Sequence, residues 1–176
     1  MPADRSLDPF VLNDPDTADF TDRRLAQLLA YWRGLAGEGD LPPAPVIDPA
    51  ALVFILGWLM IIDPLEGGAD FKYRLYGSSI AEVTGRDLTG CKVSDSFPAF
   101  AAFASEVYRN AMRDRRPVLT RHSPPKQIAV TRWERLILPF AGSDGAVIRF
   151  LVGAVSLGTR TTQKRRLPWP LRDGQG

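Results

Sequence analysis

A single histidine, His122, and a single cysteine, Cys91, bound the chemistry open to this 176-residue sequence. One histidine cannot build a His-His metal site of the H-E-x-x-H kind. One cysteine can make neither an internal disulfide nor a thiolate metal cluster. His122 as a lone axial ligand would suit a haem, but it precedes Ser123-Pro124-Pro125 at the end of a predicted strand, where a surface or rim histidine is expected. Cys91, between Gly90 and Lys92, reads as a small half-buried apolar residue. A redox-sensing thiol is the alternative, with Lys92 as its thin electrostatic support. Asp63, Asp70, Asp87, Asp95 and Glu134 are the carboxylates from which an acid/base pair would be drawn. None has a nucleophile or metal partner at diagnostic spacing, and capping or ion pairing accounts for most of them. Walker, Rossmann and Gly-x-Ser-x-Gly patterns are absent, and Gly85 and Gly90 are too far apart for a dinucleotide cradle. These residues point away from catalysis.

The elements that must position them follow from apolar spacing. Thr21-Asp22 caps a predicted helix to about Gly37, with Leu25, Leu28, Leu29, Trp32 and Leu35 on one face. Its stripe either packs on its own domain or also forms a dimer seam. Gly37 to Pro45 is a linker, loosened by two glycines and then stiffened by three prolines. Asp48-Pro49 starts a short helix to about Leu56, apolar nearly all round and so expected to be buried. Trp58–Ile62 and Asp70–Tyr76 pair as a hairpin across Asp63-Pro64 and Gly67-Gly68. Residues 78–96 hold short helical pieces broken at Gly85 and Gly90. A longer helix runs from Phe97 to Arg116, stopped by Pro117. Strands at about Val118–Ser123, Ala129–Pro139 and Ala146–Leu157 follow, the last two joined by the turn Ser143-Asp144-Gly145.

Composition adds limits. At 45% hydrophobic content the chain can form an ordinary core, and a net charge of +2 gives no global field for nucleic acid, which is not an expected partner. Residues 1–20 carry five aspartates against Arg5 and read as a flexible acidic arm. Residues 159–176 read as a flexible basic tail. The longest apolar run, Ala50–Ile62, is short of the roughly 20 residues that span a bilayer, and no signal-peptide pattern opens the chain. A cytoplasmic location away from the membrane is the expectation.

The element order, with Trp32, Pro42, Ile47-Asp48-Pro49, Phe71–Gly77, Gly85-Arg-Asp-Leu-Thr-Gly90 and Glu134–Pro139, resembles the small stand-alone PAS proteins of alphaproteobacteria over about residues 25–157. The resemblance implies an α+β fold: a five-stranded antiparallel sheet, order 2-1-5-4-3, with a helical flap and an N-terminal amphipathic helix. The expected division is residues 1–20 arm, 21–45 helix and linker, 46–158 PAS domain and 159–176 tail. It implies a sensory or regulatory module, not an enzyme, with output through another signalling protein, and it leaves the cofactor open. Flavin-binding light sensors set their flap cysteine in Asn-Cys-Arg-Phe-Leu-Gln, which Gly90-Cys91-Lys92-Val93 does not match.

PAS sheets and flaps enclose a cavity, and Tyr73, Cys91, Phe103, Val107 and Trp133 are the residues expected to line one here for a small apolar or aromatic ligand. The alternative is that they simply fill the core. A haem or flavin sensor, or a small enzyme on a similar scaffold, are the other functional readings. In the order 2-1-5-4-3 the strands of Arg74 and Glu134 are not neighbours, so these two charges are not expected to meet. The first and last strands are apolar on both faces. The helix at 21–36 is therefore expected to cover the outer face, from its own chain or from a second copy in a homodimer, through Leu25, Leu28, Leu29 and Trp32.

Overall fold

Apolar residues on both faces of the central strands require a covering layer on each side, and both layers come from this chain. The computed structural model describes residues 7–37, 41–44, 47–125 and 128–159. In chain order they form β1 (Phe10–Asn13), α1 (Arg23–Ala36), β2 (Leu59–Leu65), β3 (Asp70–Tyr76), α2 (Ser78–Thr84), α3 (Pro98–Asp114), β4 (Val118–His122), β5 (Val130–Ala141) and β6 (Val147–Thr159). The strands make one sheet in the order β1-β4-β5-β6-β2-β3, with every pair antiparallel. Counting only β2 to β6, the order is the expected 2-1-5-4-3.

The sixth strand is a correction to the unstructured arm expected for residues 1–20. Phe10–Asn13 pairs with β4, Phe10 opposite Arg121 and Asn13 opposite Val118. Main-chain bonds extend the seam at both ends, from Asp14 N to Pro117 O at 2.8 Å and from Ser123 N to Leu7 O at 2.7 Å. Such pairing shields an edge strand without needing apolar periodicity, so composition did not reveal it. The basic tail beyond residue 159, and residues 38–40 and 45–46 of the linker region, lie outside the described residues.

The inner face of the sheet packs Met60, Ile62, Phe71, Ile137, Phe150 and Val152 against Ala104, Val107, Tyr108 and Ala111 of α3. The outer face packs Leu136, Leu138, Phe140, Leu151 and Val155 against Leu25, Leu28, Leu29 and Trp32 of α1. Asp22 caps α1 by accepting from Arg24 N at 2.9 Å. Gly153 of β6 is what lets α1 lie so close: a Cβ there would stand 2.6 Å from Leu25 and 2.7 Å from Leu28. The Trp32 indole donates to Pro139 O at 2.9 Å, so its buried N–H is satisfied.

A second correction concerns residues 48–56. Asp48 does cap the segment, accepting from Ala50 N at 2.9 Å. The segment, however, forms two short 3-10 turns, Pro49–Leu52 and Leu56–Trp58, and leaves Val53 70% exposed. Leu52 and Ile55 turn fully inward to the α1 layer, and Phe54 packs half-buried against it.

Candidate ligand-binding site

Two-residue alternation along β5 puts Trp133, Arg135 and Ile137 on the inner face and Glu134, Leu136 and Leu138 on the outer. Opposite Arg135 on β6 stands Ala154, and the small side chain leaves space. A cavity of about 90 Å³ opens there, between the sheet and the segments around α2 and the start of α3. Met60, Tyr73, Trp133, Arg135 and Ala154 form its sheet wall; Ile80, Leu88, Phe97 and Phe100 face them from the flap. His122, Pro124, Pro125 and Ile128 close one end, and exposed Arg86 belongs to the rim.

Arg135 is only 2% exposed. Its Nη2 donates to the Tyr108 hydroxyl. Its guanidinium lies 5.2 Å from the Phe100 ring centre and 5.6 Å from that of Tyr108. Nε and Nη1 have no hydrogen-bond acceptor among the described residues. Burial raises the pKa of Tyr108 despite the opposing pull of Arg135, so the hydroxyl beside the cation is neutral. Cation–π contact with a desolvated guanidinium is worth about 2 kcal/mol or somewhat more, against several kcal/mol for desolvating the charge and two donors left without acceptors. The guanidinium is therefore under-compensated.

His122 corrects the expectation of a surface histidine. Opposite Trp133 in the β4–β5 register, it points inward, is 3% exposed and sits 5.2 Å from the Phe100 ring and 5.8 Å from Phe103. Burial, then the charges of Arg135 and Arg132, push its pKa down to about 3, so it is neutral at physiological pH. The cavity, at about 90 Å³, falls well below the roughly 300–1,000 Å³ of sites for drug-sized molecules. It does not fit a haem or a flavin ring system.

Of the residues expected to line a pocket, Tyr73 and Trp133 do so. Val107 is buried in the adjoining core, and Phe103 is packed beside it against His122. Cys91 is half-buried against the same core but is not in the cavity wall; its carbonyl accepts from Tyr73 N at 3.0 Å. Sequence reasoning missed Arg135. The signal was there in the period of β5, which places it on the face of Trp133 and Ile137.

The carboxylates are engaged elsewhere. Asp63 accepts from Arg149 at 2.7 and 2.9 Å and from Arg74 at 2.8 Å; burial pulls its pKa up, and these two arginines hold it below the usual range. Asp70 accepts from Ser94 Oγ at 2.6 Å, Asp87 from Thr89 N at 2.8 Å and Asp95 from Lys92 N at 3.0 Å. Glu134, fully buried on the outer face, accepts from Thr21 N at 3.0 Å, Asp22 N at 2.9 Å and Arg121 Nε at 2.8 Å. It holds the positive start of α1. Arg74 and Glu134 do not meet, as expected. Leu25, Leu28, Leu29 and Trp32 are buried against their own sheet, so the dimer seam envisaged for them cannot form while α1 stays docked. Among the described residues there is no cluster of three or more metal-ligating side chains, and no helix is long and apolar enough to cross a membrane.

Comparison with known proteins adds three findings. The sequence model of the PAS domain family matches residues 20–156. Among solved structures, an RNA-binding light-oxygen-voltage receptor is similar at 12% identity and a TM-score of 0.47, the match covering 87% of this chain and 39% of that one. No curated protein matches.

Proposed function

The chain belongs to the PAS domain family, and from that premise we propose that it is a sensory module that binds a small ligand under its flap and passes its output to another protein. The observation that carries this reading is the cavity itself: a partly polar space between sheet and flap, with a buried cation in its wall. The mechanism is a population shift, in which a ligand that prefers one flap or helix arrangement biases the equilibrium toward it. Strand β5 supplies a mechanical route. Trp133 and Arg135 face the cavity, while Glu134 between them grips the start of α1 on the opposite face. A ligand that moves β5 thereby changes the docking of α1. Released, the stripe of Leu25, Leu28, Leu29 and Trp32 is the surface for a second copy or a signalling partner, in the cytoplasm. The carboxylates are committed to caps and ion pairs, which favours sensing over catalysis.

Native mass spectrometry of the freshly purified full chain, beside its denatured mass, tests the reading. A non-covalent adduct of small mass is the expected result. A protein that stays empty and binds nothing from a metabolite extract would overturn it.

A further inference from the structure

We propose that the flap cavity selects a small aromatic carboxylate, with the carboxylate on Arg135 and the ring among Trp133, Phe100 and Tyr73. This rests on the reading of the cavity as a ligand site and assigns its chemistry.

Three observations lead to it. Arg135 is 2% exposed, yet its Nε and Nη1 lack acceptors among the described residues. A buried cation whose donors are unmet is costly unless something else meets them. Among the described residues no group is placed to do so. Glu134 next to it lies on the other face and is taken by Arg121 and the start of α1. The neighbouring Tyr108 hydroxyl is uncharged. The second observation is the wall. Apart from Arg135 it is dominated by aromatic and aliphatic side chains, which suit a ring and not a fully hydrated anion such as phosphate. The third is size: about 90 Å³ lies below the roughly 150 Å³ of a cavity that encloses benzene, so the space excludes anything larger than a single ring, and such a ring reaches out toward the rim at Arg86. His122, neutral and with Nδ1 unpartnered, adds a polar atom at the same end without adding charge.

The test titrates the full chain with benzoate, phenylacetate, their neutral amides and inorganic phosphate by calorimetry, with parallel thermal melts. At least one carboxylate is expected to bind once per chain and to raise the melting temperature. Its amide should bind roughly 10- to 100-fold more weakly, the range expected for losing a charge-assisted hydrogen bond. Arg135→Met should abolish that preference and melt higher than the unliganded native chain, because an unmatched buried charge has been replaced by an apolar side chain. Arg135→Lys, which keeps the charge but loses the planar guanidinium, should bind with intermediate affinity and covers the case in which the methionine variant fails to fold. Equal binding of acid and amide by the native chain would overturn the carboxylate assignment while leaving the cavity a ligand site. So would phosphate binding as well as the carboxylates do, or failure of both acids to bind in a protein whose native mass shows another ligand. An Arg135→Met variant that folds but melts lower would identify Arg135 as a structural cation and overturn the proposal.

Discussion

At the scale of single residues, His122 makes the sharpest pH prediction. Its folded pKa is about 3, against about 6.5 in an unfolded chain. Below pH 6.5 the unfolded chain takes up a proton that the folded one refuses. The stability present above pH 6.5 is thus lost as pH falls toward 3, by about 1.4 kcal/mol for each pH unit. Asp63, Asp70 and Asp87 are held below the usual carboxylate range by their hydrogen-bond partners, clear of the window between pH 6 and 5. Urea unfolding of the native chain at pH 7, 6 and 5 should show this slope. His122→Phe, which places a third phenyl ring beside Phe100 and Phe103, should flatten it; parallel slopes in the two proteins would mean that His122 titrates normally. The residue scale is also where the sequence was least legible. His122 stands beside two prolines, which suggest a rim, and only strand register turns it inward. Arg135 and Glu134 are adjacent charges in sequence, and which one is matched depends on α1 arriving from more than a hundred residues away.

At the scale of elements, the contact between α1 and β6 depends on a missing side chain. Gly153 lies where any Cβ would collide with Leu25 and Leu28 at less than 3 Å. Gly153→Val should lift α1 from the sheet, strain the Trp32 bond to Pro139 O and cost several kcal/mol, since overpacking and lost burial act together. In a protein of this size each kcal/mol lowers the melting temperature by about 2–4 °C, so a fall on the order of 10 °C is expected, with faster hydrogen exchange confined to α1. An unchanged melting temperature would show that α1 contributes little. The amphipathic stripe of α1 was readable because its 3.6-residue period is written in four large side chains. Its docking site was not, because a glycine in a strand carries no periodic signal. The same limit applies to β1, whose place depends on main-chain bonds to an edge.

At the scale of the whole molecule, strand order was legible through the resemblance to PAS proteins, and the two strands that are apolar on both faces agree with it by lying centrally. What covers the outer face was left open between this chain and a second copy, and the structure answers with α1. That answer predicts the consequence of removing it. A chain lacking residues 1–40 loses β1, α1 and the amides that meet Glu134. It bares Leu136, Leu138, Phe140, Leu151 and Val155 as one contiguous apolar face, with a partly compensated carboxylate at its edge. Such a surface in water drives association. Light scattering of the truncated chain should give a mass above the monomer that rises with concentration, or aggregation, and free α1 peptide added in excess should suppress it. A truncated chain that stays monomeric and keeps its melting temperature would mean that the outer face does not need α1. The proposed signal, in which β5 loosens α1 to expose an interface, would then lose its basis, because a helix whose release uncovers nothing reactive has nothing to report.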